Sequence, residues 1–98
     1  MNKTTSIILF AILGVVGFFF FSLMHEAVHV QIYHYYGADA RIELFSHFPN
    51  FVTISEMGCP NEECNQLQML NEIVTYNLEA LYFLIFCGFL CLIARGED

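Results

Sequence analysis

The chain has 98 residues, room for one domain at most. Apolar residues make up 57% and charged residues 13%, against about a quarter charged in an ordinary soluble domain; with 11 Phe, this composition points to a lipid-embedded protein. A net charge of -7 with only 3 Lys and Arg excludes the basic surface that nucleic acid binding requires, and no Gly-rich phosphate loop, nucleotide fingerprint or internal repeat is present.

Residues 7 to 24, "IILFAILGVVGFFFFSLM", form an 18-residue run that is apolar apart from Ser22. As a helix it is about 27 Å long, enough to cross the hydrocarbon core of a bilayer. The run is long for a signal-peptide core and no small-x-small cleavage site follows it, so a transmembrane helix is the preferred reading. Helix one is predicted over 7–36, stopping at Gly37. Within it, Gly14 and Gly17 are expected to allow close helix approach, and Phe18 to Phe21 to face lipid or a packing partner.

Residues 40–64 are predicted as an external segment. Short alternating stretches, Arg41-Ile42-Glu43-Leu44 and Phe51-Val52-Thr53-Ile54, flank the turn signal "HFPN" and predict a small β-hairpin. "GCPNEEC" reads as a loop. Its Cys59 and Cys64 suit a disulfide in an oxidising exterior better than a metal site.

A second apolar run covers residues 80 to 94, and the Gly- and Pro-free stretch before it extends the same helix upstream. Helix two is therefore predicted over 65–94, with its transmembrane part at about 76–94. Cys87 and Cys91, one turn apart, read as small apolar side chains at a helix contact. The fold expected is mainly α: two antiparallel transmembrane helices with a β-hairpin between them. Lys3 and Arg95 flank the two spans, so the positive-inside rule puts both termini in the cytoplasm and the hairpin outside.

"HEAVH", residues 25 to 29, fits H-E-x-x-H at the end of the first span. His25 and His29 share a helix face and can offer ring nitrogens to one metal ion. Glu26 points to the neighbouring sector, where it can take a proton from a water held by that ion. Zinc lowers the pKa of such a water to ~7, so the spacing suits zinc-dependent hydrolysis of an amide with Glu26 as general base. Histidine and glutamate beside an apolar membrane helix are costly groups and read as functional by default. The ligand set of two histidines and a carboxylate also suits other divalent metals.

A third protein ligand is required. The candidates are Asp39, Glu43, His47, Glu56, Glu62, Glu63, Glu72 and Glu79. His25 and His29 lie 19 and 23 residues above Ser6, roughly 28 to 35 Å, and Glu72 lies 23 residues above Arg95, about 35 Å. Glu79, 16 residues above Arg95, falls about a turn below His25. Antiparallel helices thus put Glu72 level with the histidine pair. Glu79 is expected near the same face, either in hydrogen-bond reach of a ligand histidine or Tyr33, or as a polar group buried between the helices or snorkelling to the interface. Tyr76, one turn from Glu72, could donate to a developing oxyanion, although a tyrosine there is more often an interfacial anchor. Tyr33, Tyr35, Tyr36 and Tyr82 read as interfacial anchors, and His34 as a residue at headgroup level.

"HEAVH" with a downstream "NEIVTY" resembles the gluzincin group of zinc metallopeptidases, in which a glutamate on a later helix is the third ligand. The resemblance implies His25, His29 and Glu72 as ligands of one zinc ion and Glu26 as general base, with Asn71, the partner in "NE", helping to orient a histidine. "HVQIYHYYGADARIELF" is also similar to the segment that follows H-E-x-x-H in site-2-type intramembrane proteases. Those enzymes take an aspartate from a later "L-D-G"; this chain has no Asp-Gly, and its aspartates are Asp39 and Asp98. Both resemblances imply a peptidase acting on a membrane or secreted peptide, with an extended substrate paired to the hairpin edge. The alternative expectation is a small non-catalytic membrane protein that binds metal or serves as a partner subunit. For so short an enzyme, a homo-oligomer or partner membrane protein is the expected source of further pocket walls.

Overall fold

The computed structural model describes residues 2–47 and 50–96, with the side chains of 45–47 and Asn50 outside the description. The elements run α1 (Lys3–Tyr35), β1 (Arg41–His47), β2 (Asn50–Ile54) and α2 (Glu62–Arg95). Each helix starts at an asparagine. The Asn2 side chain accepts from Thr5 N–H at 2.8 Å and the Asn61 side chain from Cys64 N–H at 2.9 Å, satisfying a backbone donor that each helix leaves open. Glu62 and Glu63 in the first turn of α2 further suit its positive end. Residues 62–64 are therefore helical, a correction to the loop expected for "GCPNEEC". Helix α1 likewise starts four residues before its apolar run.

Helix α1 stops at Gly37, as expected. Gly37 has φ +79°, and the N–H groups of Gly37 and Ala38 return to the carbonyls of His34 and Tyr33 at 3.0 and 2.9 Å. This paired closure needs a left-handed residue, which glycine supplies without a Cβ clash. The chain then turns into the hairpin. Strands β1 and β2 pair antiparallel in the register Arg41 to Ile54, Ile42 to Thr53, Glu43 to Val52 and Leu44 to Phe51, with a shift between Leu44 and His47. Phe48 and Pro49 of the expected turn lie outside the described residues.

The two helices run antiparallel, because their contacts descend in opposite order. Phe10 stacks on Phe86 at 5.3 Å, Tyr82 donates to the Gly14 carbonyl, His25 meets Glu72, His29 meets Gln68, and Tyr36 donates to Glu63 at 2.6 Å. The last bond pushes the Tyr36 phenol up to about 12, because ionising it would place a second negative charge beside the Glu63 carboxylate. Both helices are long and apolar enough to cross a membrane. Tyr36 and Tyr82 thus tie the helices together, a correction to their reading as interfacial anchors. A phenol between two apolar helices needs an acceptor, and a backbone carbonyl at a glycine is reachable because no side chain screens it.

Gly14 and Gly17 are the points of close approach. A Cβ on Gly14 would lie 1.9 Å from the Phe86 ring, and one on Gly17 would lie 2.7 Å from the Tyr82 hydroxyl. Phe86 is itself wedged against Phe10 and Tyr82 and has little room to yield. Gly14→Leu is accordingly expected to destabilise the helix pair by about 1–3 kcal/mol, the usual cost of overpacking, read as a shift in the denaturant midpoint in detergent. Of the four phenylalanines in sequence, Phe18, Phe19 and Phe21 pack on Phe83, Phe51 and Tyr82, while Phe20 points outward at 65% exposure. Cys87 and Cys91 are exposed, not at the helix contact as expected. The contact face of α2 is taken by Tyr82 and Phe86, whose larger surfaces bury more apolar area.

The segment between β2 and α2 is fastened to the start of β1. The Asp39 carboxylate accepts from the N–H groups of Met57 and Glu56 at 3.0 and 3.1 Å and from the Ser55 hydroxyl at 3.3 Å. The N–H donors of Met57 and Glu56 hold the Asp39 carboxyl below its ordinary 3.8. A depressed carboxyl stabilises the fold above its unfolded-state pKa, and that contribution is lost as pH falls through the folded value. The protection factor of the Met57 amide, taken against the intrinsic exchange rate at each pH, is therefore expected to hold at neutral pH and to fall only below 3.8, whereas Asp39→Asn should lower it at neutral pH. Cys59 and Cys64 are disulfide-bonded, with Cα atoms 5.5 Å apart, and Cys64 is fully buried at the base of α2.

Candidate metal centre

The facing helices bring His25 and His29 of α1 against Glu72 of α2, although Glu72 follows His29 by 43 residues. The two Nε2 atoms lie 3.1 Å apart, His25 Nε2 is 3.0 Å from Glu72 Oε1, and His29 Nε2 contacts the same oxygen. Both histidines are buried at 9% exposure, whereas the Glu72 side chain is 37% exposed, so the cluster is closed on one side and open on the other. Together the three residues can hold a metal ion. Tetrahedral zinc with bonds of ~2.0–2.2 Å sets its ligand atoms roughly 3.3–3.5 Å apart; the His25–His29 and His25–Glu72 contacts come within a few tenths of that spacing, whereas the His29–Glu72 contact is closer and would have to open to admit an ion.

The surrounding bonds explain how the rings are aimed. His29 Nδ1–H donates to Gln68 Oε1, and Gln68 Nε2 donates back to the His29 carbonyl at 3.2 Å. That bond to Nδ1 turns the Nε2 edge of the His29 ring towards Glu72 and His25. The three ligand atoms lie close enough together to share one positive charge, whether a metal ion or a proton. Such an outer bond to the second ring nitrogen is the usual way a ligating histidine is oriented. Asn71 also holds a histidine, but through the main chain. Its side-chain amide donates to the His25 carbonyl at 3.3 Å, and its own oxygen accepts from the buried Thr75 hydroxyl at 3.2 Å.

Glu26 stands beside the cluster, its Oε1 4.0 Å from His25 Nδ1. The Thr53 hydroxyl of β2 donates to the Glu26 carboxylate and also lies 3.1 Å from the Glu26 carbonyl. The hairpin therefore anchors this carboxylate. A cleft of about 770 Å³ opens over the cluster, and Glu26, Tyr33, Thr53, Tyr76 and Glu79 share its lining with His25, His29 and Glu72. Its apolar wall includes Phe18, Phe19 and Phe51, with Phe19 and Phe51 packed at 6.1 Å. The Tyr76 ring sits 6.0 Å from that of His25 and is more than half exposed to the cleft side.

The other acidic candidates are engaged elsewhere. Asp39 holds the loop, Glu43 and Glu56 flank Arg41 at 3.5 and 3.2 Å, Glu63 accepts from Tyr36, and Glu62 is exposed in the first turn of α2. The His47 side chain and Asp98 lie outside the described residues. Glu79 reaches the cleft partly buried and, among the described residues, bonds neither a histidine nor Tyr33, so of its two expected readings the hydrogen-bonded one is corrected. Seven residues of helix separate it from Glu72, about 10 Å along the axis.

Thr53, Gln68 and Thr75 were absent from the sequence-based candidates. Gln68 carried a usable signal: it precedes Glu72 by one helical turn and so faces α1 one turn further up, level with His29. Thr53 carried none, because its role depends on Glu26, 27 residues away, whereas Thr75 acts through Asn71 one turn earlier on the same helix. No known protein family, curated protein or solved structure matches the chain.

Proposed function

We propose that the protein is a two-span integral membrane peptidase that holds one zinc ion with His25, His29 and Glu72. The observation that carries this reading is the convergence of His25 Nε2, His29 Nε2 and Glu72 Oε1 on one point, with the His29 ring aimed by Gln68. The Glu26 carboxylate next to that point supports hydrolysis over mere metal storage, as does the cleft large enough for several residues of an extended chain. Zinc bound there would supply the Lewis acidity that activates water for attack on a carbonyl near neutral pH.

The chain's own residues do the rest. Glu26, held by Thr53, accepts the proton of the attacking water and returns it to the leaving amine. Tyr76 lines the cleft with its side chain hydrogen-bonded to Glu72, and would turn its hydroxyl from that carboxylate to the negative charge that develops on the carbonyl oxygen. The half-closed cluster leaves substrate one approach, from the side on which Glu72 is exposed. The gluzincin peptidases named above on sequence grounds are the site class this reading implies.

Membrane insertion is part of the proposal. Large apolar side chains such as Ile12, Leu13, Val16, Phe20, Leu84 and Leu92 are each more than half exposed, which in water would be a heavy cost and in lipid is favourable. Lys3 and Arg95 lie at the end of the helix pair away from the cleft, supporting cytoplasmic termini and an extracytoplasmic site. The test is hydrolysis by the purified chain in detergent of a quenched fluorescent peptide with an apolar membrane segment. A strong chelator is expected to abolish cleavage, and added zinc to restore it. Cleavage indifferent to the chelator, or no cleavage of any peptide in the zinc-loaded state, would contradict the proposal.

A further inference from the structure

The proposed mechanism uses Glu26 and Glu72 but gives no role to Glu79. This side chain is partly buried, faces the cleft, and forms no hydrogen bond or ion pair among the described residues. Its depth makes that unusual. The antiparallel contacts of Gly14 with Tyr82 and of His25 with Glu72 put Glu79 level with Gly17 and Phe18, inside the apolar run of α1. Its own helix turns continuously apolar from Ala80 onward. An ionisable group at such a level is costly and marks a ligand pathway when it faces a water-filled space. The cleft is that space, and Phe18, Phe19 and Ser22 line it together with Glu79.

The charge of the cleft has one sign. Glu26, Glu72 and Glu79 line it, whereas Lys3, Arg41 and Arg95, the chain's 3 basic residues, do not. Glu72 and Glu26 are occupied by the histidines and by Thr53. That leaves Glu79 as the carboxylate without an internal counter-charge, about 10 Å from Glu72 along the helix. An extended peptide advances ~3.3 Å per residue, so this distance corresponds to roughly three residues of substrate.

We infer that Glu79 determines specificity by receiving a cationic side chain, a lysine or arginine placed roughly three residues from the bond that is cut, while Phe18 and Phe19 take the apolar residues beside it. The inference rests on the peptidase reading and names its substrate class: apolar membrane peptides bearing a basic residue close to the cleavage point.

Binding tests this without requiring turnover. The full chain carrying Glu26→Gln, in detergent with zinc, is titrated by fluorescence anisotropy with labelled apolar peptides. Each carries one lysine at a successive position, and each has a norleucine counterpart. At one position the lysine peptide is expected to bind about tenfold tighter than its counterpart, the scale of a charge-assisted contact. Adding Glu79→Gln should bring the pair within about twofold, whereas Glu62→Gln, which removes an exposed charge outside the cleft, should leave the preference intact. A lysine preference that survives Glu79→Gln, a preference lost equally in Glu62→Gln, no preference at any position, or no binding of either series would overturn the inference. Failure of the peptidase reading would register separately, as absence of chelator-sensitive cleavage by the wild type.

Discussion

Glu26→Gln is expected to retain one zinc per chain while its turnover falls by about 10²–10⁴-fold, the usual contribution of a positioned general base. The geometry explains why the two properties separate. Glu26 lies on the sector of α1 next to His25 and approaches the His25 ring only at Nδ1, 4.0 Å away, whereas the metal-facing nitrogen is Nε2. It is not among the three side chains that converge. The amide keeps the shape of the carboxylate and can still meet the Thr53 hydroxyl through its oxygen, so the hairpin should stay docked on α1. What is lost is the ability to accept a proton. Parallel titration of zinc content and of peptide cleavage checks this. A variant that cleaves as fast as the wild type would remove Glu26 from the mechanism; one that loses zinc as well would make it a ligand.

The second large effect concerns the third ligand. Glu72→Ala is expected to weaken zinc binding by more than about 100-fold, beyond the range seen when an outer partner of a ligand is removed. Glu79→Ala, although it deletes the same functional group from the same face of α2, should leave zinc affinity unchanged. The contrast follows from depth along the helix. Glu72 Oε1 touches both imidazoles, whereas Glu79 is two turns nearer the membrane interior and touches neither. Gln68→Ala is placed between these extremes. It frees the His29 ring to rotate without removing a donor, and should cost about 10–100-fold in zinc affinity. Competition with a chromophoric chelator measures all three on one scale. Equal affinities for Glu72→Ala and Glu79→Ala would rule out Glu72 as the ligand.

Much of this arrangement was legible in the sequence because its signals are local or metric. The i, i+4 histidines follow from helix periodicity, the end of α1 from Gly37, and the hairpin from alternation of Ile42 and Leu44 with charged neighbours. The level of Glu72 followed from counting residues along two helices of known rise. The parts that were missed have a common cause. Inside an apolar helix every face looks alike, so no contrast revealed that Tyr82 and Phe86 face α1 while Cys87 and Cys91 face outward. The start of α2 was misplaced because Asn61, Glu62 and Glu63 sit between two bonded cysteines, where polarity suggested a loop and capping chemistry made a helix. Thr53 became visible only through its partner Glu26, 27 residues away, whereas Gln68 could have been read from its place one turn before Glu72.

The site also shows a division of labour between the two kinds of element. The helices set the spacing of the ligands through rigid rise and close packing at Gly14 and Gly17. The hairpin, fastened by Asp39 at one end and by Thr53 on Glu26, holds the side chain that would accept and release a proton in the proposed reaction. Changes in the hairpin should therefore alter turnover before they alter metal content.

The central claim is that His25, His29 and Glu72 form one zinc site, and its most direct test is the metal content of the purified chain. Elemental analysis of the wild type in detergent is predicted to find one zinc per chain. In His29→Ala, with the chain still folded by circular dichroism, zinc is predicted to fall to background. Equal zinc in the two proteins, or none in a wild type purified with zinc present, would contradict the account.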